Sequence, residues 1–383
     1  MRRKVRLPNP EILTWARESV GYTIEDVAHY LKKSPQTIIA WEKGSDAPTF
    51  RQLEKLAKKF KRSLAVFYLP EVPSESPLPR DFRRLPRAPK SAFSPEARFA
   101  FRELQNLLND LIQIEENLAF DFPQINLSDD PRIKGRQVRE KLGISVIDQL
   151  FWTSSYKALS AWRSILFDHG ILVIQFSLPV DEVRGFSIMQ PPLAGIGITS
   201  QDVPEARIFS IFHEVAHLCL RMPGVSNEEF SLELFTEQDR VESFCNSFAA
   251  AFLLPSVDPD IKEILHKVGS SEPASESINQ YARNCRVSKY VLAFQAYTHQ
   301  FASQAWLNKT LRIWQEQNRE RKTEGKKTEA HLPLPIAIRA RYGERFLASV
   351  YEALEQRFLT LHDVSDILNL SPSRIEKIAA KLF

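Results

Sequence analysis

One stretch, Phe209 to Leu220, constrains the fold most, because it reads FSIFHEVAHLCL and places three ionisable side chains in an otherwise apolar run. His213 and His217 stand four residues apart with Glu214 between them, and residues at i and i+4 project from the same face of a helix. Burying these groups together is costly unless they are paired or ligated. The stretch therefore predicts a buried helix whose polar face meets either a metal ion or, as the alternative, hydrogen-bonding carbonyls of the core.

A second apolar stretch, Val241 to Pro255, reads VESFCNSFAAAFLLP, and its polar groups of any size are Glu242 and Asn246, again four residues apart. A carboxylate buried on such a helix requires a cation. The HExxH spacing is that of two imidazoles binding Zn²⁺ beside a glutamate that polarises a water molecule. We therefore predict Glu242 as the third protein ligand, with Asn246 orienting a ligand or making a structural hydrogen bond.

With this ligand set, the fourth position holds water, and zinc lowers the pKa of that water towards about 7. Glu214 is then the predicted general base of peptide hydrolysis. The other carboxylates near the two stretches are predicted to be solvated loop charges: Glu228, Glu229, Glu233, Glu237 and Asp239.

Residues 10–69 contain the capping residues that mark the ends of several short helices. Thr23 and Asp26 have the spacing of a capping box, and Ser34 followed by Pro35 opens the next helix. Two short helices joined by the tight KKS linker are typical of a helix-turn-helix, although a helical protein-interaction module is the alternative. The predicted DNA contacts are three residues at base edges and three cations at phosphates: Gln36, Thr37, Ala40, Lys33, Lys43 and Arg51.

The charge of the chain is concentrated in the same region. Residues 1–70 contain 14 Lys and Arg against 7 Asp and Glu, whereas the whole chain has a formal net charge of only +4. A local excess of positive charge is the expected footprint of a protein that binds the phosphate backbone.

The remaining sequence predicts an α+β fold that is mostly α. Residues 71–93 are dense in proline, serine and arginine, which is typical of an extended linker without helix or strand pairing. Beyond it, helical patterns surround three short apolar stretches, ILVIQFSL, GFSIM and LAGIGIT, which predict the strands of a small antiparallel sheet.

These motifs carry a family likeness. HEVAH followed by VESFCNSFAAAFLLP resembles the ImmA/IrrE family of bacterial metallopeptidase-like proteins, where HExxH precedes an E-x-x-A-N-x-F-A-A-x-L-L-x-P pattern. The matching residues of the second motif are Glu242, Asn246, Phe248, Ala249, Ala250, Leu253 and Pro255. Cys245 replaces the usual alanine. The likeness covers roughly residues 130–260, and residues 10–69, with AWEKG and SLAVFYLPE, resemble an XRE-type helix-turn-helix.

The sequence patterns and the resemblance together predict four segments. They are a five-helix XRE-like domain over residues 1–70, a linker over 71–93, a zincin-like ImmA/IrrE domain over 94–265, and a helical region over 266–383. The last region has helix-turn-helix shape near Thr360 and Ser371, and we expect it to serve docking or dimerisation, with a second DNA-binding motif as the alternative.

The resemblance also implies a function. It predicts a cytoplasmic regulator that binds double-stranded DNA as a homodimer and whose Zn²⁺ site cleaves a protein partner, such as a repressor or a toxin-like protein. The alternative is a transcription factor or antitoxin-like DNA binder whose zinc site is sensory or structural, and a purely structural scaffold is a third hypothesis. No membrane contact is expected, since no apolar run approaches the roughly 18 residues that span a bilayer. Cys219, Cys245 and Cys285 are expected to be buried free thiols.

Overall fold

The computed structural model describes residues 4–5, 7–74, 80–81, 93–226, 237–255, 258–324 and 332–382. The chain divides into two compact units, the first formed by Met1–Leu78 with Leu85–Glu103 and the second by Pro79–Arg84 with Leu104–Phe383. Within the described ranges, no helix combines the length and apolar composition needed to cross a bilayer. Most of the predicted linker, residues 75–79 and 82–92, lies outside the described residues.

The first unit contains the predicted cluster of short helices. Its elements are α1 (Glu11–Ser19), α2 (Ile24–Leu31), α3 (Pro35–Glu42), α4 (Phe50–Phe60) and a 3-10 helix (Leu64–Tyr68). The five-helix prediction is confirmed, with the last helix of the 3-10 type. The division between the two units falls inside α5 (Pro95–Ile114).

Local capping explains why α2 and α3 begin and end where they do. The hydroxyl of Thr23 accepts a hydrogen bond from the backbone N–H of Asp26, whose carboxylate accepts one from the backbone N–H of Thr23. Lys32 ends α2 in the left-handed conformation, and Ser34 caps α3 by accepting from the N–H of Thr37. Val27, Ala28, Ile38 and Trp41 form the buried core between these two helices, and Leu31 packs against it half-buried.

The second unit is mostly helical. Its helices after α5 are α6 (Pro131–Lys141), α7 (Val146–Phe151), α8 (Ser155–Asp168), α9 (Pro204–Cys219), α10 (Glu237–Leu253), α11 (Pro259–Gly269), α12 (Glu276–Cys285), α13 (Lys289–Thr298), α14 (Gln304–Glu324), α15 (Leu334–Tyr342), α16 (Glu344–Glu355), α17 (Leu361–Leu368) and α18 (Pro372–Leu382). Its strands are β1 (Arg80–Asp81), β2 (Ile171–Phe176), β3 (Gly185–Gln190), β4 (Leu193–Thr199) and β5 (Gly224–Ser226). The predicted α+β class is confirmed.

The sheet is mixed, so the prediction of an antiparallel sheet is wrong for part of it. The strand order is β1-β5-β3-β4-β2, with β3 antiparallel to both neighbours, but β2 is parallel to β4 and β1 is parallel to β5. The reason is topological. The chain leaves β2 and skips one position to form β3, and β4 then returns into the gap in the direction of β2. The predicted linker also contributes a strand, because Arg80 and Asp81 pair with β5.

Aromatic packing fixes α9 and α10 relative to each other. Trp162 of α8 meets Phe212 of α9 edge to face at 4.9 Å between ring centroids, and Phe212 stacks on Phe252 of α10 at 3.8 Å. All three rings are fully buried. Arg139 of α6 donates to the carbonyl of Phe252 at 2.9 Å and satisfies one of the backbone acceptors at the C-terminal end of α10. These contacts hold the two helices that carry the HExxH motif and Glu242.

Candidate metal centre and nucleic-acid interface

The HExxH residues occupy the buried centre of α9. His213, Glu214 and His217 have no exposed surface, and the helix packs against the sheet, α8 and α10. Glu242 and Asn246 lie on α10 and are 3% and 4% exposed. Two adjacent helices therefore enclose five polar side chains in the core, which requires that each side chain find a partner.

The structure brings the three predicted ligands together. The Nε2 atoms of His213 and His217 are 3.1 Å apart. Glu242 Oε2 lies 3.3 Å from Nε2 of His213, and its Oε1 lies 3.2 Å from Nε2 of His217. Among the described residues, the buried Oε1 of Glu242 has no possible hydrogen-bond partner other than the imidazole of His217.

This donor set fits a divalent ion. Ligand bonds of about 2.0 to 2.1 Å in a tetrahedral zinc site place neighbouring nitrogen and oxygen ligands about 3.3 Å apart. The three observed separations lie at or just below that value. Two imidazoles and one carboxylate are also the ligands that zinc takes in hydrolytic sites. A further candidate donor is the Cys245 thiol, whose Sγ lies within 4.8 Å of a ring nitrogen of each histidine. Glu242 is the predicted third ligand, and its two oxygens lie 3.3 and 3.2 Å from the Nε2 atoms of the two histidines.

Asn246 orients one of the histidines. Its Oδ1 lies 2.8 Å from Nδ1 of His213, so the ring carries its proton on Nδ1 and donates it to the amide oxygen. The Nε2 lone pair of His213 then faces the other ligands, and this tautomer is the one a metal requires. The predicted orienting residue thus contacts a histidine rather than Glu242.

Ser187 and Gly185 of β3 flank the Glu214 carboxylate. The hydroxyl of Ser187 donates to Oε2 of Glu214 at 2.7 Å and accepts from the backbone N–H of Gly224 at 3.4 Å. A Cβ at Gly185 would lie only 3.1 Å from Oε1 of Glu214, so glycine leaves room for the carboxylate. Sequence reasoning missed both residues, although Ser187 is the one polar side chain within the predicted strand GFSIM.

The charge of Glu242 is stabilised in spite of its burial. Burial alone would raise the pKa of its carboxyl, but the charges and hydrogen-bonding groups of His213 and His217 outweigh that effect and lower the pKa to about 2. A cation at the same place would act in the same direction. The three cysteines are buried free thiols, as predicted. Burial, together with the nearby carboxylates of Glu242 and Glu214, raises the pKa of the Cys245 thiol well above its usual value.

The other carboxylates considered as ligands fall into two groups. Glu228, Glu229 and Glu233 lie outside the described residues. Glu237 and Asp239 belong to the first turn of α10, so the prediction of a loop is wrong for these two residues because the helix begins earlier than its apolar face.

The predicted DNA contacts of the first unit divide by exposure. Lys33, Gln36, Lys43 and Arg51 are exposed, whereas Thr37 and Ala40 are half-buried. The Thr37 hydroxyl lies 3.0 Å from that of Ser34 and takes part in the cap of α3. Lys33 and Gln36 flank the start of α3, the second helix of the motif, Lys43 follows its last residue, and Arg51 lies in the first turn of α4.

Two family models match the chain. Residues 13–67 match the helix-turn-helix model, and residues 167–296 match the peptidase M78 model, described as the IrrE N-terminal-like domain. A search of the curated proteins returned no match. The first match contains α2 to α4, and the second contains α9 and α10 with all of the metal-centre residues named above. The chain therefore joins an XRE-type helix-turn-helix unit to an ImmA/IrrE-like domain of the M78 peptidase family.

Proposed function

We propose that this chain is a DNA-binding regulator whose second unit is a zinc-dependent endopeptidase that cleaves a regulatory protein partner. The observation that carries the proposal is the triangle of donor atoms formed by His213, His217 and Glu242, with separations of 3.1 to 3.3 Å. Glu214, the general base of such an enzyme, adjoins one of these ligands in the chain.

The roles of the residues follow from their contacts. His213, His217 and Glu242 would hold the ion, which when bound lowers the pKa of a coordinated water and polarises a peptide carbonyl. Ser187 donates a hydrogen bond to Oε2 of Glu214 and so orients the carboxylate that would take a proton from the attacking water. Glu214 then passes this proton to the leaving amine. Asn246 keeps Nδ1 of His213 protonated throughout.

The first unit would recognise a specific DNA sequence. We infer that Lys33, Lys43 and Arg51 contact phosphates and that Gln36, with the less exposed Thr37 and Ala40, faces base edges of the major groove. A homodimer would read two half-sites about one helical turn apart. We expect such a regulator to act in the cytoplasm and to cleave a repressor or toxin-like protein.

A specific observation favours a second candidate function. The side chains of His213, Glu214 and His217 have no exposed surface, and a peptide must reach such a centre before it can be cut. Under this alternative, the metal stabilises the second unit or senses a ligand, and the protein acts as a transcription factor or antitoxin-like DNA binder without proteolysis.

Glu214→Gln separates the two candidates because it removes the base but retains the three ligands. The zinc-loaded wild type and this variant are incubated with a proteome-derived peptide library, and new amino termini are read by mass spectrometry. We expect sequence-specific cuts with the wild type and none with the variant, at equal zinc content. If neither zinc-loaded protein produces new amino termini, the sensory or structural alternative is supported. A wild type that binds no stoichiometric metal would contradict both candidate functions.

A further inference from the structure

Helix α10 carries a second metal-binding type of side chain besides Glu242, the thiol of Cys245. Cys245 lies one turn after Glu242 and next to Asn246, so the three side chains share one face of the helix. Glu242 contacts both histidines and Asn246 contacts His213, which shows that this face is turned towards α9. Cys245 is fully buried there, and its Sγ lies within 4.8 Å of a ring nitrogen of each histidine.

The geometry leaves a coordination position that this thiol can reach. Three protein ligands fill three corners of a tetrahedron, and a thiolate bound at about 2.3 Å would lie about 3.6 Å from the imidazole nitrogens. The limit of 4.8 Å on its distance from a ring nitrogen of each histidine exceeds this ligand spacing by about 1.2 Å. Thiolate is also among the strongest ligands of zinc.

The other two cysteines lack this placement. Cys219 is two residues from His217 on α9, and residues at i and i+2 of a helix do not face the same side. Cys285 ends α12, where its backbone carbonyl accepts a hydrogen bond from Gln149. Both serve as matched controls, since both are fully buried thiols in the same unit.

We propose that the Cys245 thiolate is the fourth ligand of the resting metal centre, so that the bound ion is closed to water until the thiol is displaced. This inference rests on the metal centre of the proposed function. When the site closes, the S–H bond breaks, a sulfur–metal bond forms, the proton goes to bulk water and no electron is transferred. A closed centre of this kind is a latent peptidase, which accounts for the complete burial of its donors.

Cobalt binding tests both whether the centre binds one metal ion and whether Cys245 is one of its ligands. The full chain is stripped of metal with a chelator and titrated with Co²⁺ alone. For the wild type we expect one equivalent to bind with the visible bands of a tetrahedral ion and a near-ultraviolet thiolate-to-cobalt charge-transfer band. Cys245→Ala should keep the visible bands and lose the charge-transfer band, whereas Cys219→Ala and Cys285→Ala should keep both.

Folding of each metal-free variant is checked by circular dichroism, and X-ray absorption of the zinc-loaded wild type provides a measurement that needs no variant. A sulfur neighbour of zinc supports the inference. A wild-type cobalt complex without the charge-transfer band, or a band that survives in Cys245→Ala, would overturn it while leaving the metal centre in place. Failure of the wild type to bind cobalt at all would overturn the proposed function as well.

Discussion

The metal centre and the helix-turn-helix face differ in where they put their charged residues. The centre holds two imidazoles and two carboxylates at 3% exposure or less, whereas the predicted phosphate contacts Lys33 and Lys43 are exposed. A buried charge must be compensated by a particular neighbour, but an exposed charge is already compensated by water. The partners of a buried charged residue therefore indicate its role directly. The role of an exposed charged residue has to be inferred by comparing its surface with another surface of the same fold.

Helices α17 and α18 form a second helix-turn-helix motif with which the first, α2 and α3, can be compared. Thr360 and Asp363 form a capping box like that of Thr23 and Asp26, and eleven residues separate Thr360 from Ser371, as they separate Thr23 from Ser34. Both first helices have eight residues and end on a left-handed residue. Equivalent core positions are buried in both motifs: Val27 and Val364, Ala28 and Ser365, Ile38 and Ile375.

The two motifs differ in charge rather than in fold. The turn between the helices carries Lys32 and Lys33 in the first motif but Asn369 and Leu370 in the second. Residues 343–383 contain five Lys and Arg against six Asp and Glu, whereas residues 1–70 have an excess of seven positive charges. The second motif therefore lacks the electrostatic footprint of a DNA binder, which agrees with the docking or dimerisation role proposed for the C-terminal region.

The largest expected effect comes from Glu242→Ala. Since it removes a direct ligand, we expect zinc affinity to fall by more than about 100-fold, beyond what is lost when an outer hydrogen-bond partner of a ligand is removed. Competition titration with a chromophoric chelator measures the change. Glu263→Ala is the control, because that carboxylate pairs with Lys267 on the exposed surface of α11 and should leave affinity unchanged. If the two variants bind zinc with equal affinity, the buried Glu242 carboxylate is no more important for zinc binding than the exposed Glu263 carboxylate, which would contradict its assignment as a ligand.

The next largest effect is expected in the pH dependence of the free energy of unfolding of the metal-free protein. The carboxyl pKa of Glu242 is lowered from 4.5 to about 2, so its stabilising contribution is present above about pH 4.5 and is lost as the pH falls towards 2. A shift of this size is worth about 3 kcal/mol. Denaturant unfolding of the second unit at stepped pH values measures the free energy of unfolding. Glu242→Gln should flatten the curve over this window, and an unchanged slope would contradict the assignment.

Asn246→Ala should have a smaller effect on the same centre. Without the amide oxygen, His213 is no longer held in the tautomer that directs the Nε2 lone pair to the ion, and we expect zinc affinity to fall by about 10- to 100-fold. Asn246→Asp retains an acceptor at Nδ1 and should keep most of the affinity. If both variants bind zinc as tightly as the wild type, the hydrogen bond to His213 has no role in metal binding.

The smallest effects are expected on the DNA face. Lys33→Ala should reduce the slope of log affinity against log salt by about one unit, because one phosphate contact is lost. Fluorescence anisotropy with an operator-containing duplex at several salt concentrations measures the slope. Arg374→Ala, an exposed cation of α18, should leave the slope unchanged. A loss of slope in the second variant would show that both motifs bind DNA.

The sequence predicted local features better than long-range ones. The caps at Thr23, Ser34 and Thr360 depend on neighbours within three residues, and the helices begin at or next to them. Glu242 was predicted because its apolar surroundings demand a partner. The parallel pairing of β2 with β4 depends on which strand enters a gap, and periodicity carries no signal for that choice. The hydrogen bond from Ser187 to Glu214 joins residues 27 positions apart, and a lone serine in a strand does not disclose its partner.

We propose that His213, His217 and Glu242 hold one divalent ion between α9 and α10. Crystals of the zinc-loaded full chain, measured on both sides of the zinc absorption edge, would show the ion itself. We expect one anomalous peak per chain, about 2.0 to 2.2 Å from Nε2 of both histidines and from an oxygen of Glu242. An anomalous peak elsewhere, or none between the two helices at saturating zinc, would contradict it.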